Sequence, residues 1–404
     1  MRLVADLHIH SRYSRATSPS TDLPGLARSA KRKGIDLLGT GDFTHPAWFS
    51  DLQRGLEPLG NGLHRHAGTL FVLTAELAAI WRQDDRTRKV HLVVLCPSLE
   101  AAERINCGLS QLGNLSADGR PVFGASAPAL LEAIWSVEPA AEAIPAHIWT
   151  PWFSLFGSRS GFDSLEACFG PYTDRIFAVE TGLSSDPPMN WRCSALDDLA
   201  LVSSSDAHSP GRLGREATVF DLPEPSYEGL IRAMKTRDPH RCRGTIEFYP
   251  QEGKYHYDGH RACDVALSPR EAAALDGRCP VCGKPLTIGV LHRVEDLADR
   301  AEGTVPEGRL PFQSVIPLAE IVSQALGIGP ATKSVAREVD RLIDRFGSEF
   351  AVLLDLPIDA LADGTPPPVL ARIANMRAGQ LEIQPGYDGR FGRIRIPGPF
   401  GANP

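Results

Sequence analysis

Seven short apolar runs, each carrying or leading into an imidazole or a carboxylate, constrain this chain more than any other feature of its 404 residues. They are Leu3-Val4-Ala5 before Asp6, His8 and His10; Ile35 to Leu38 before Asp42 and His45; and Leu70 to Leu73 before Glu76. Then come Val90 to Leu95 carrying His91, Ala143 to Ala146 before His147, Ile176 to Val179 before Glu180, and Leu199 to Val202 before Asp206 and His208. Apolar runs of this length read as buried strands. Helical patterns such as Leu23 to Lys33 and Pro128 to Trp135 separate them, which is the rhythm of an α/β barrel. Polar side chains at the carboxyl ends of successive strands converge on one rim, where a barrel builds its site. With His, Asp and Glu recurring there, the simplest chemistry is a multi-metal centre. Seven strands rather than eight predict an incomplete or distorted barrel.

His8-x-His10 puts both imidazoles on one face of a strand, because side chains alternate with period two. A pair like this is weak evidence alone. Joined by Glu76, His91, His147 and the Asp206-Ala207-His208 triplet, it becomes specific, since core histidines have no reason to recur at separate strand ends.

The composition sets outer bounds. A hydrophobic content of 43% is ordinary for a globular chain, and no apolar stretch approaches a membrane span. Met1 to Asp6 leads straight into the first strand, so no targeting peptide is expected and a cytoplasmic, nucleoid-associated protein is the natural reading. Eight cysteines, two of them closely paired, suit a reducing compartment with a metal knuckle better than a disulfide framework. The net charge of −7 gives no global support to nucleic-acid binding. Basic clusters at Lys31 to Lys33, Arg82 to Lys89, Arg232 to Arg243 and Arg390 to Arg395 leave a local surface open.

The organisation changes near Glu252. Residues 1–250 read as the barrel and 251–297 as a small module rich in Gly, Cys, His and Pro. Residues 298–404 read as a helical domain, with Ser334 to Phe346 amphipathic, Pro366 to Pro368 breaking the run, and Pro397 to Pro404 a loose tail. The middle module is too small for a core of its own. It carries His260-x2-Cys263 and Cys279-x2-Cys282, four ligands at structural-zinc spacing, with His256 an alternative to His260.

The motifs Asp6-Leu7-His8-Ile9-His10-Ser11, Thr40-Gly41-Asp42-Phe43-Thr44-His45, Ala75-Glu76, Lys89-Val90-His91-Leu92, Ala146-His147 and Ser205-Asp206-Ala207-His208 resemble the polymerase and histidinol phosphatase (PHP) superfamily of metal-dependent phosphoesterases. The resemblance implies a seven-stranded barrel with a trinuclear site. His8, His10, Glu76 and Asp206 would hold one ion, Glu76 would bridge to a second held by His91 and His147, and His45 and His208 would hold the third. It assigns catalysis to His8, His10, Glu76, Asp206 and His208. The chain departs from the superfamily pattern twice: Phe43, not His, follows Asp42, and Tyr13 to Thr17 offer no ligand after the first motif. A His-rich rim favours zinc, manganese or iron over magnesium, although added magnesium or manganese is expected to support an assay. Such centres activate water at neutral pH and spread the phosphate's developing charge.

With Gly253 to Cys263 and Cys279 to Val294 following the barrel, and Pro385-Gly386-Tyr387-Asp388-Gly389 near the end, the whole chain resembles the endonuclease Q family of DNA repair nucleases. That implies nicking 5′ to uracil, hypoxanthine, xanthine or an abasic site in DNA. A small-molecule phosphatase of the histidinol-phosphate type and a non-catalytic DNA-binding scaffold are the alternatives. For DNA contact, Trp149, Trp152 and Phe153 form an aromatic-dense loop after His147, suited to stacking or wedging. Leu326 to Ser334 lacks the glycine a P-loop needs before its lysine. It resembles instead the Gly327-Ile328-Gly329 hairpin of helix-hairpin-helix modules, whose amides bind phosphate. A sliding clamp is a candidate partner, although the tail has no Gln-x-x-apolar-x-x-aromatic-aromatic peptide.

Overall fold

The computed structural model describes residues 1–398. All seven runs are strands: β1 (Arg2–Asp6), β2 (Leu37–Gly39), β3 (Thr69–Gln83), β4 (Arg86–Cys96), β5 (Glu142–Pro145), β6 (Ala178–Glu180) and β7 (Ala200–Val202). β1, β2 and β3 pair in parallel, β3 with β4 and β4 with β5 antiparallel, and β6 with β7 in parallel. Single bonds span the two breaks in the ladder, Ile148 N–H to Glu180 O (3.1 Å) and His10 N–H to Ala207 O (3.0 Å). The result is a distorted ring.

Alternation along the strands sorts the core into two layers. Leu3, Ala5, Leu37, Val72, Val93, Ile144, Ala178, Ala200 and Val202 come from all seven strands and pack in one cluster that fills the ring. Val4, Leu38, Leu73, Val94, Ala143 and Val179 face the other way, into a cluster shared with the helices. These helices include α1 (Leu23–Lys33), α2 (Pro46–Gly55), α3 (Leu99–Ser110) and α4 (Ala127–Val137). Asp22 caps α1 at its start, and Gly34, in the left-handed region, ends it.

One strand breaks the α/β rhythm. β4 returns antiparallel to the 15-residue β3 through Asp84 and Asp85, both at positive φ, the geometry of a tight hairpin. Glu76 and His91 therefore stand in mid-strand on the same face of a hairpin, rather than at carboxyl ends.

Two further strands, β8 (Ala217–Asp221) and β9 (Cys242–Glu247), extend the sheet antiparallel beside β1. Helix α5 (Tyr227–Thr236) sends Tyr227, Leu230 and Met234 into the ring's filling. The Tyr227 hydroxyl bonds Leu95 O and Ala140 O, so this helix closes the end of the ring away from His91 and His147.

The cysteine-rich module is a hairpin of β10 (Asp258–His260) and β11 (Val265–Leu267), followed by helix α6 (Val290–Leu297). Its own apolar cluster holds three buried residues, Ala272, Cys279 and Leu286. That is too few to order a module without a cross-link. The chain then returns to the barrel, where β12 (Phe312–Ser314) pairs in parallel with β9. Helices α7 (Leu318–Leu326), α8 (Lys333–Phe346) and α9 (Pro367–Arg377) follow, and a last hairpin pairs β13 (Glu382–Gln384) with β14 (Arg393–Arg395). The expected break at Pro366 to Pro368 is instead the start of α9, since proline is tolerated in a first helical turn. Of the expected loose tail, residues 399–404 lie outside the described residues. No helix among the described residues is long and apolar enough to cross a membrane.

Glu247 is wholly buried at the end of β9, bonded by the hydroxyls of Ser203 and Thr181. Burial pushes its carboxyl up from 4.5 to about 8, and the Asp186 carboxyl adds to the rise. Glu216 is likewise pushed up by burial, with Glu247 and Glu180 nearby. The folded state then binds protons more tightly than the unfolded chain, so stability is greatest below the ordinary carboxyl value and declines as pH rises toward 8. Urea midpoints measured between pH 5 and 9 are expected to fall across this range, and Glu247→Gln to flatten the decline.

Candidate metal centre and its surroundings

Beyond β1 the chain stays extended, and Ile9 bridges Ala207 beyond β7, which brings His8, His10 and Asp206 together. The Nδ1–H of His8 donates to Glu180 Oε2 (3.0 Å) and that of His10 to Asp42 Oδ1 (3.0 Å). Both rings thus aim Nε2 inward. His10 Nε2 lies 3.1 Å from Glu76 Oε2 and 3.0 Å from Asp206 Oδ1; His8 Nε2 lies 3.4 and 3.6 Å from the same two atoms. Glu76 turns its other oxygen to a second group, with Oε1 2.5 Å from His91 Nδ1 and 3.2 Å from His147 Nε2.

These contacts make two clusters sharing one carboxylate, His8, His10, Glu76 and Asp206 on one side and Glu76, His91 and His147 on the other. Within each, the ligand atoms lie within 4.8 Å of one another. His8 Nε2, His10 Nε2 and Asp206 Oδ1 are buried with no hydrogen-bond partner. Buried polar atoms are rarely left unpaired, and lone pairs converging on a common point are what a cation satisfies. The residues fit a two-metal centre bridged by Glu76.

The electrostatics agree. Burial opposes charge on His8 and His10, yet their carboxylate neighbours hold both well above the ordinary imidazole value. Glu180, Glu76 and Asp206 act on His8, and Asp42, Asp206 and Glu76 on His10. The site thus demands positive charge that a divalent ion supplies in place of protons. Burial lowers His91 to about 4, despite Glu76, which keeps the imidazole neutral as a ligand must be. Asp42, His147 and Asp206 all sit at positive φ, so tight turns carry three of the centre's side chains.

The third expected ion finds no such set. His45 and His208 belong to no ligand cluster among the described residues. His45 heads α2 and stacks on Tyr13 at 4.6 Å between centroids, with its Nδ1 buried and unpartnered. His208 donates Nδ1–H to its neighbour's carbonyl, Asp206 O (2.9 Å), and its ring lies 4.4 Å from that of His10. Asp42 is consumed by His10, Ser11 and Ser14. Asp6 braces the rim through Ser205 and the Gly214 amide.

Three residues matter beyond those expected. Glu180 and Asp42 hold the ligating imidazoles in register, a role conveyed by their positions at strand ends. Arg120, which no motif marks, places NH1 3.0 Å from Glu76 Oε2.

In the knuckle, His260, Cys263, Cys279 and Cys282 converge, with His260 Nδ1 3.5 Å from Cys282 Sγ. His256 is buried elsewhere, stacked on Tyr257, so His260 is the residue that joins the cysteines. Burial resists ionisation of Cys279, but the amides of Cys282 and Val281 bring its thiol down to about 7, ready to act as a thiolate ligand.

The aromatic loop divides. Trp149 is only 1% exposed and donates Nε1–H to Asn190 Oδ1, so it packs the interior and cannot stack on a base. Phe153 lies 4.6 Å from the His91 ring, a wall of the centre. Trp152 is 44% exposed, edge-on to Tyr255. Gly327 and Gly329 form an open turn between α7 and α8, where Thr332 caps α8.

A depression of about 400 Å³ opens on Asp206 and His208 and shares Arg212 and Arg215 with a groove of about 910 Å³. That groove, between barrel, knuckle and helical domain, is also lined by Arg372, Arg393 and Arg395. Three carboxyls also line it: burial pushes Glu252, to about 7, and Glu320 upward, and Glu382 pairs with Arg395 (3.4 Å), so the five arginines outweigh the acids. The net charge of −7 is a property of the whole chain and conceals this local surface.

Residues 191–239 match the PHP-associated family model and 317–380 the MJ0043 C-terminal domain. The chain is 30% identical to the uncharacterized protein YqxK of Bacillus subtilis (strain 168), over 98% of this chain and 99% of that one. It is 35% identical to the uncharacterized protein MJ0043 of Methanocaldococcus jannaschii over 61% of this chain and 31% of that longer one. Among solved structures it is similar to the lesion-specific endonuclease PfuEndoQ from Pyrococcus furiosus, with 33% identity, a TM-score of 0.87, and coverage of 98% of this chain and 96% of that one. It is as similar to an endonuclease Q complexed with a 27-mer duplex substrate bearing an abasic lesion at the active site, at 33% identity and a TM-score of 0.86, over 98% of this chain and 97% of that one.

Glu76→Ala is expected to lose at least one equivalent of metal and all hydrolysis while circular dichroism stays that of the parent. Full metal and full activity in this variant would remove the bridge. Cys279→Ser with Cys282→Ser is expected to release one zinc and to weaken DNA binding while the barrel's metals stay, as elemental analysis and titration will read.

Proposed function

The chain belongs to the endonuclease Q family, and on that premise we propose that it is a DNA repair endonuclease hydrolysing the phosphodiester 5′ to a deaminated base or an abasic site. The observation that carries this reading is a buried pair of ligand clusters opening beside an arginine-lined groove, in a chain alignable with endonuclease Q almost end to end. His8, His10, Glu76 and Asp206 hold one barrel ion, and Glu76, His91 and His147 the other. Zinc, manganese or iron suits this donor set, and zinc suits the knuckle. Ions held there would supply a nucleophile from water and charge for the phosphate oxygens. Water forms the new bond to phosphorus and the strand's alcohol oxygen leaves.

The protein's own contribution is positioning. Glu180 and Asp42 fix the tautomers of His8 and His10, so that Nε2 is the free nitrogen of each. Arg212 and Arg215, shared between depression and groove, hold strand phosphates at the entrance to the centre. Trp152 offers an exposed ring beside the knuckle for an unstacked base. In the Gly327–Gly329 turn the first two amides bond Ser323 O, which leaves the Gly329 amide to meet the backbone of the duplex ahead of α8.

Duplexes containing uracil, hypoxanthine, xanthine, an abasic site or no lesion, alongside histidinol phosphate and p-nitrophenyl phosphate, are to be incubated with the manganese-loaded enzyme. Nicking 5′ to a lesion is expected, with the small phosphomonoesters poor substrates. Preferential hydrolysis of histidinol phosphate would make it a small-molecule phosphatase, and binding without cleavage a scaffold. Affinity for duplex is expected to fall steeply from 50 to 200 mM salt, because several phosphates are neutralised by arginine. The ratio of lesion to normal duplex is expected to change little over the same titration, since it arises from contacts to the base.

A further inference from the structure

We propose that Arg120 stands in for the third cation of the barrel centre, so that the enzyme works with two metal ions and one guanidinium; this rests on the phosphodiesterase reading above. The residues expected to hold a third ion do not fit one. His45 keeps a buried, unpartnered Nδ1 but stacks on Tyr13, Asp42 is bonded by His10, Ser11 and Ser14, and neither His45 nor His208 joins a cluster of three ligands among the described residues. Beside that same Asp42 the chain inserts the segment Asp118-Gly119-Arg120. Gly119 N–H bonds Tyr13 O (3.0 Å), Asp118 receives Arg120 N–H (3.1 Å), and Asp118 also pairs with Arg15 (3.2 Å). Only glycine lets the segment lie so close, since a Cβ at Gly119 would fall 2.3 Å from both Asp42 Oδ2 and Ser14 Oγ.

The insertion delivers a guanidinium to the mouth of the centre. Arg120 NH1 bonds Glu76 Oε2, and among the described residues it is the one guanidinium nitrogen of this side chain with a protein acceptor. The side chain is 30% exposed, so the guanidinium is not sealed in the interior. Its contact is with the carboxylate that both ligand clusters share, and its charge also reaches Asp206, His91 and His208. A planar fork of always-protonated donors matches the non-bridging oxygens of a phosphodiester. There it neutralises charge developing on the phosphate as water adds and the alcohol leaves. It takes part in no bond making or proton transfer.

Two measurements on the full chain test this. Elemental analysis of the metal-saturated protein is expected to give three ions per chain, two in the barrel and one in the knuckle, unchanged in His45→Ala. Four ions, with one lost in His45→Ala, would overturn the proposal. With enzyme in excess over lesion duplex, Arg120→Ala and Arg120→Gln are expected to cleave about 10²- to 10³-fold more slowly. Their duplex Kd should move by less than about threefold and the metal count should hold, with methylguanidinium restoring part of the rate to the alanine variant. Wild-type rates in both Arg120 variants would sink the idea, and so would loss of metal along with rate, which would make the arginine a brace for Glu76. Bis-p-nitrophenyl phosphate keeps the two readings apart. Should the parent hydrolyse it in an Arg120-dependent way yet cut no lesion duplex, the repair reading falls and the arginine's role stands.

Discussion

The Glu76 carboxylate, fully buried and shared between two groups of imidazoles, is the interaction on which the rest of the centre depends. An ionised carboxylate removed from water is costly unless its charge is answered nearby. Here His8, His10, His91, His147 and Arg120 all approach it. The long β3–β4 hairpin places Glu76 in mid-strand, paired with Val93 of β4, so its position is set by a ladder instead of by a loop. Binding divalent ions answers the same charge and satisfies the orphaned nitrogens of His8 and His10 at once. Metal affinity and the cohesion of the upper barrel are therefore two faces of one electrostatic balance.

Around this carboxylate the supporting atoms form a second layer of acids. Glu180 holds His8 and the amide of His147, linking the ends of β1, β5 and β6. Asp42 does the same for His10, Ser11 and Ser14. Each acid bonds a ligand through the nitrogen that does not face the centre, so each fixes tautomer and ring angle together. The positive φ values at Asp42, His147 and Asp206 show how tightly the turns are drawn to achieve this.

Much of this was legible in the sequence, because ligand chemistry and period-two burial leave strong local patterns. The seven runs are the seven ring strands, and His8, His10, Glu76, His91, His147 and Asp206 do converge. So do His260, Cys263, Cys279 and Cys282, where the structure separates His260 from His256. What escaped was non-local. Apolar runs carry no sign of direction, so the reversal of β4 was invisible, although Asp84-Asp85 between two long runs was a usable hairpin signal. Trp149 and Trp152 are three residues apart in one loop, and only packing decides that the first is core and the second surface. The arginines of the groove come from three distant segments, and Arg120 lies in a polar loop that matches no motif.

The short pairing of β12 with β9 has a mechanical meaning. Through Thr245 to Phe312, Ile246 to Gln313 and Glu247 to Ser314, the segment leading into the helical domain is stitched to the sheet that also carries β1. A domain entered through a sheet strand has no free hinge at that point. The groove between barrel and helices is thus anchored on the sheet at the point where the helical domain begins. A nucleic acid that bends and unstacks cheaply meets an anchored surface at lower cost than a stiff one.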